Sequence, residues 1–123
     1  MDIKILKNTD YEFYKLLGPF LARRSIEKEI GSKIYDDDNK IWFVAKKDKD
    51  VIGFAAVIKN NVCSSYILPQ YRKIGIFTKI LLYIINNYKK LKTVANQNSY
   101  KIFLKNGFIV KRKKGSFYVM ERE

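Results

Sequence analysis

The segment Leu68-Pro69-Gln70-Tyr71-Arg72-Lys73-Ile74-Gly75-Ile76-Phe77 narrows the choice of fold more than any other part of this chain. It starts at the end of a strand-like run, residues 62–68, and leads directly into a helix-like run, residues 76–88. A basic, glycine-containing turn between a strand end and a helix start presents unpaired backbone N–H groups at the positive end of the helix dipole. Such an arrangement binds phosphate. The spacing is not that of the nucleotide motifs, because neither G-x-G-x-x-G nor G-x-x-x-x-G-K-[ST] occurs anywhere in the sequence.

The rest of the chain alternates legibly. Residues 3–7 read as a short strand, and Thr9-x-x-Glu12 reads as a capping box opening a helix that ends at Gly18-Pro19. A second helix is expected over residues 20–30 with Gly31 as its C-terminal cap, then a surface loop over residues 32–40 centred on Asp36-Asp37-Asp38. Strands follow at residues 41–45 and 51–58 around a Lys47-Asp48-Lys49-Asp50 turn, and Asn60-Asn61 turns the chain into the strand before the basic loop. Beyond the helix at 76–88 comes a strand at residues 91–95. Asn98 is then expected to cap a short helix, residues 99–106, which Gly107 ends. Residues 108–110 and 117–120 make a final strand pair around Lys114-Gly115.

Composition bounds this reading. With 123 residues, 47% of them hydrophobic, the chain is expected to form one domain over residues 1–123 with a real core. No apolar run approaches the length of a membrane span, and no charged-then-apolar leader opens the sequence. One cysteine, Cys63, excludes an internal disulfide and fits a reducing cytoplasm; its place in a strand pattern reads as a buried, inert thiol. Without histidine, neither a zinc site nor a His-based triad is expected, and no metal is assigned.

The order β-α-α-β-β-β-α-β-α-β-β, with Arg72 and Gly75 after the strand end Ile67-Leu68-Pro69, resembles the GNAT superfamily of acyl-CoA N-acyltransferases. That family shows [QR]-x-x-G-x-[GA] in this loop, and here Phe77 stands where its last small residue does. A second stretch, Asn96-x-x-Ser99-x-x-Ile102-Phe103-x-x-Asn106-Gly107-Phe108, is similar to the family's N-x-x-A-x-x-[LF]-Y-x-x-x-G-F. The resemblance implies an α/β (α+β) GNAT fold, a mixed central sheet with splayed central strands flanked by helices. It implies acetyl-CoA, or another acyl-CoA, as cofactor. Its pyrophosphate would lie on the backbone of Arg72, Lys73, Ile74, Gly75, Ile76 and Phe77, its pantetheine arm along the strand at Tyr66 and Ile67, and Asn96 would contact it. An amine then attacks the thioester directly, with a strand N–H at a bulge polarising the carbonyl.

Two departures from the family pattern bear on catalysis. Its usual general acid is a tyrosine where this chain has Phe103, which carries no proton to give; Tyr100, one helical turn earlier, is the candidate replacement and equally a packing residue. From residue 51 to residue 120 there is also no Asp, Glu or His, so a carboxylate base has to come from Glu27, Glu29, Asp36, Asp37, Asp38 or the C-terminus. Otherwise the amine loses its proton through water and backbone carbonyls, or is weakly basic and needs little help.

Charge supplies the remaining clue. Residues 61–123 hold 13 Lys and Arg against 2 Asp and Glu, and so carry +11 of the net +13. Lys89, Lys90, Lys92, Lys111, Arg112, Lys113 and Lys114 form the dense clusters, with Tyr, Phe and Asn interleaved as on surfaces that meet nucleic acid. A solvated Lys-rich surface looks the same. Three functions stay open: an N-acyltransferase of unspecified amine acceptor, a nucleic-acid-modifying enzyme of the same fold with the phage Mom-type proteins as precedent, and a catalytically silent domain that binds nucleic acid or an acidic protein. No membrane partner is expected, and the oligomeric state is left open, a homodimer included.

Overall fold

The computed structural model describes residues 1–21, 23–30 and 39–123, with the side chains of Arg24, Glu27 and Glu29 excepted. Its elements are β1 (Asp2–Leu6), α1 (Phe13–Leu21), α2 (Arg24–Ile30), β2 (Ile41–Lys47), β3 (Asp50–Ile58), β4 (Asn61–Ile67), a 3₁₀ turn (Pro69–Tyr71), α3 (Ile76–Asn87), β5 (Leu91–Ala95), α4 (Tyr100–Lys105), β6 (Ile109–Lys114) and β7 (Phe117–Arg122). The strands form one sheet in the order β1-β2-β3-β4-β5-β7-β6. Every neighbouring pair is antiparallel except β4 and β5, which run parallel because α3 carries the chain across between them. This is the mixed, helix-flanked sheet that the sequence implied.

Each face of the sheet has its own core. Ile80, Leu81 and Ile84 of α3, with Phe103 of α4, pack on Phe43, Ala55, Val57, Leu91, Ala95 and Met120. On the opposite face Phe13 and Leu17 of α1 and Ile26 of α2 pack on Trp42, Val44, Phe54, Ala56 and Tyr66. The strands β2 and β3 are buried on both faces, which explains why they read as near-continuous apolar runs. Where β3 meets β4, Gly53 lies opposite Ile67; a Cβ there would stand 2.4 Å from the Ile67 Cδ1 and 3.0 Å from the Tyr66 carbonyl oxygen, so only glycine lets the strands approach this closely.

Several local expectations are corrected. Helix α1 begins at Phe13 and runs through Gly18 and Pro19 to Leu21, instead of stopping at that pair, and α2 starts only at Arg24. Pro19 is exposed and so is Lys15 four residues before it, so the helical turn that loses an amide donor at Pro19 lies on the solvent side of α1. The Glu12 carboxylate pairs with the Lys4 ammonium of β1, not with a capping box, while Asp10 accepts a hydrogen bond from the Lys7 N–H. The strand expected at residues 108–110 is displaced: Phe108 is buried against Phe103, and β6 runs on to Lys114, taking the basic cluster into the sheet. Gly31 and the loop at 32–38 lie outside the described residues.

Candidate functional site: a phosphate nest beside a splayed strand pair

The basic loop closes α3 with no side-chain cap. Gly75 is its N-cap residue in a left-handed conformation, φ 87°, and Lys73 two residues earlier has φ 65°. Such left-handed residues within a turn aim successive N–H groups into one concavity, an anion-binding nest. The first intrahelical bond runs from the Lys79 N–H to the Gly75 carbonyl, so the amides of Gly75, Ile76, Phe77 and Thr78 have no partner within the helix. No acidic side chain stands in the first turn to compete with a bound anion. Arg72 shapes the loop from behind. Its Nε donates to the Ile67 carbonyl at 2.8 Å, and its guanidinium lies 5.2 Å from the centre of the Tyr66 ring.

Directly behind the nest the sheet opens. Strands β4 and β5 pair only at Asn61–Lys92 and Val62–Thr93. Two hydrogen bonds pin that vertex: the buried Thr93 hydroxyl donates to the Val62 carbonyl, and the Lys92 N–H to the Asn60 carbonyl, both at 2.9 Å. Beyond it β4 bulges. Ala56 faces Cys63 and Phe54 faces Tyr66, so Ser64 and Ser65 together oppose Ala55, and Ser64 takes φ 51°. A bulge of this kind turns the strand away from its neighbour. From Cys63 to Ile67 the β4 edge facing β5 is therefore free of strand pairing, a backbone edge that an extended ligand joins as an added strand.

Among the described residues five non-glycine residues have positive φ. Asp48, Lys59 and Asn60 sit in hairpin turns, where two-residue loops favour that geometry. The other two, Ser64 and Lys73, are at the bulge and the nest. Backbone cost outside the hairpin turns is thus concentrated in one place, as at functional sites generally.

The sequence candidates fall around this cleft as follows. Tyr66 and Ile67 lie on the open half of β4; the Tyr66 ring is buried toward α1 and α2, and Ile67 packs toward α3. Phe77 turns its ring inward against Phe103, 5.5 Å between ring centres, so its bulk in place of a small residue does not fill the nest. Asn96 follows β5, and its Oδ1 accepts from the Asn98 N–H, the Ser99 N–H and the Ser99 hydroxyl. The side chain fixing the start of α4 is thus Asn96, not Asn98. Tyr100, half-buried, stacks on Tyr118 at 4.1 Å beside the end of β5. Phe103 is 2% exposed, wedged between Phe77 and Phe108. Cys63 is half-buried at the vertex, less enclosed than expected.

The charged candidates separate. Strand alternation places Arg112 and Lys114 beside Val119 and Phe117 on one face of the β6–β7 pair, and Lys113 on the other, its ammonium 5.4 Å from the centre of the Tyr118 ring. Lys111, at the β6 bulge, lies 3.7 Å from Glu121. Lys89 and Lys90 are exposed before β5, and Lys92 is exposed on it. Of the proposed bases, the side chains of Glu27 and Glu29 and all of Asp36, Asp37 and Asp38 lie outside the described residues. Glu12 is held below its ordinary pKa by its hydrogen bond to Lys4. No group of three or more metal-ligating side chains occurs among the described residues. No described helix is long and apolar enough to cross a membrane.

A nest at the start of a crossover helix, set against a parallel strand pair that separates at a bulge, is the arrangement that the GNAT resemblance implied. The model of the acetyltransferase (GNAT) family matches residues 7–108, and the chain belongs to that family. Solved structures show the same fold at low identity. Escherichia coli ElaA superposes with a TM-score of 0.77 at 16% identity, covering 99% of each chain. Tetrahymena GCN5 gives 0.76 at 18%, covering 99% of this chain and 95% of its own. The PaiA N-acetyltransferase of Thermoplasma acidophilum, solved in complex with coenzyme A, gives 0.64 at 16%, covering 100% and 99%. No curated protein matches the sequence.

Two features escaped the sequence reading, the Thr93 clamp and the open sheet face around Val94, and the bulge that the resemblance implied was not placed at Ser64–Ser65. The bulge left one trace, since two adjacent serines in a strand break its two-residue alternation.

Proposed function

We propose that the protein is an acyl-CoA-dependent N-acyltransferase that passes an acetyl or similar acyl group directly to a primary amine. The observation that carries this reading is the join of the two halves of the site: the nest of residues 72–77 lies at one end of the unpaired β4 edge, and the vertex at Val62–Thr93 at the other. A molecule with a pyrophosphate at one end of an extended amide-bearing arm fits that layout, and a structure of the same fold has coenzyme A bound.

In this reading the N–H groups of residues 73–77 hold the pyrophosphate, with Lys73 adding positive charge. The strand edge at Tyr66 and Ile67 pairs with the amides of the arm. A backbone N–H at the bulge polarises the thioester carbonyl, the acceptor amine adds to its carbon, and the C–S bond breaks to leave amide and thiol. Tyr100 returns the proton to the leaving sulfur, because Phe103 has none to give. The amine sheds its own proton to water or backbone carbonyls in the cleft. The Asn96 amide nitrogen, on the side chain whose oxygen caps α4, stands as a further contact for the arm. Native mass spectrometry of the purified protein, followed by a thiol-release assay with amine panels, tests the reading. A co-purifying acyl-CoA and amine-dependent thiol release are expected; a protein that neither carries nor binds acyl-CoA refutes it.

A nucleic-acid acceptor draws on the +11 excess of residues 61–123. The division of residues 111–114 between two faces weakens it, because a duplex backbone needs the cations on one surface.

A further inference from the structure

Among the described residues no helix packs on one face of strands β5, β7 and β6. Register places Lys92, Glu121 and Ile109 in one row across it, Val94, Val119 and Arg112 in the next, and Phe117 and Lys114 in a third. Val94 is 58% exposed, Ile109 55% and Phe117 40%. These are apolar side chains on the sheet face opposite the α3–α4 core, and α1 and α2 pack on β2, β3 and β4 instead. The residues Val94, Val119, Phe117, Gly115, Arg112 and Lys114 line an open concavity of ≈ 510 Å³. Its floor is apolar and its charged rim purely cationic. Glu121, in the neighbouring row of the same face, lies 3.7 Å from Lys111.

Its position ties this concavity to chemistry. Val94 follows Thr93, the last residue of β5 that pairs with β4, so the floor adjoins the strand that walls the cleft. Phe117 and Lys114 sit level with the open end of the cleft, since Ala95 pairs with Tyr118 and Lys114 with Phe117.

We propose that this face seats the acceptor, and that the acceptor is an acidic peptide segment presenting its amine to the cleft. The inference rests on the acyltransferase reading and names its substrate class. Size argues for a peptide: three strands span about 10 Å across and the three rows about 13 Å along, a footprint of several residues. Charge argues for an acidic one, because Arg112 and Lys114 flank the apolar floor with no described acid among the lining residues. Arginine pairs carboxylates in a bidentate fork, while Val94, Val119 and Phe117 cover apolar side chains between them.

The test compares peptides of equal length that share one free amine and one aromatic residue and differ only in having Asp, Ser or Arg at the flanking positions. The wild-type protein is assayed with acetyl-CoA by thiol release. The Asp peptide is expected to show a kcat/KM about tenfold above the Ser peptide, as two partly screened ion pairs allow. The Arg peptide falls below both. The double variant Arg112→Gln/Lys114→Gln erases this preference, and 0.5 M salt reduces it as roughly a 4 Å screening length requires. Calorimetric binding of acetyl-CoA stays unchanged in the variant, which separates this proposal from the cofactor site. Equal rates for all three peptides, or a preference that survives in the variant, overturn it. So does an enzyme that binds acetyl-CoA but acetylates none of the three, or one whose activity is displaced by an oligonucleotide and not by the Asp peptide. Failure to bind acetyl-CoA at all refutes the acyltransferase reading itself.

Discussion

Replacing Thr93 with valine removes one hydroxyl at the point where the sheet divides. Thr93 is 3% exposed, and its Oγ1 donates to the Val62 carbonyl at 2.9 Å across the parallel pair. Valine keeps the shape, so the loss is the hydrogen bond and the desolvation of a buried carbonyl, together about 1–2 kcal/mol. Unfolding entropy of roughly 2.1 cal/mol/K per residue gives about 260 cal/mol/K for a chain of this length, so each kcal/mol shifts Tm by about 4 °C. Thr93→Val should therefore lower Tm by about 4–8 °C. Thr93→Ser, which keeps the donor, loses only a methyl contact and should fall less. Urea titration at constant m-value measures the same difference directly. Because only two residue pairs join β4 to β5, loosening one should also weaken acetyl-CoA binding. A Thr93→Val protein as stable as the wild type, or less perturbed than Thr93→Ser, would show that the hydroxyl does not hold the vertex.

Tyr100→Phe should reduce kcat by about 100-fold or more at unchanged acetyl-CoA affinity, as removal of a general acid does; a loss below about threefold leaves Tyr100 as the packing partner of Tyr118. Gly53→Ala should destabilise by about 1–3 kcal/mol in thermal melts, because its Cβ meets Ile67 and the Tyr66 carbonyl. Duplex DNA binding, measured by anisotropy against salt, should show a log–log slope no steeper than about −3, the limit for Lys92, Arg112 and Lys114 acting from one face. A slope near −5 would mean that cations of both faces engage a wrapped strand.

Element order and the loop were legible in the sequence because both are local. The apolar runs of β2 and β3, the turn residues between them and the Arg72–Gly75 loop follow from near neighbours in the chain. Where the structure departs from the reading, long-range contacts decided. Pro19 does not end α1, because it lies on the exposed side of the helix and Phe13 and Leu17 hold the helix on Trp42 and its neighbours. The basic run at 111–114 reads as one cluster along the chain, but a strand sends alternate residues to opposite faces, and a bulge between Val110 and Arg112 sets which residue goes where. The opening between β4 and β5 depends on a pairing that stops after two residue pairs, and nothing within either strand records where its partner leaves.

Acetyl-CoA titration by calorimetry, comparing wild type with Gly75→Glu, tests the central claim most directly. Gly75 is exposed and an added Cβ meets nothing within 4 Å, so the substitution is tolerated apart from the strain of its positive φ. It sets a carboxylate where the pyrophosphate is expected. The wild-type protein should bind in the micromolar range, about −8 kcal/mol, and the folded variant should show no measurable heat of binding. Equal affinity in the two proteins, with the variant's fold verified by its melting curve, would contradict the assignment of this loop to the phosphates.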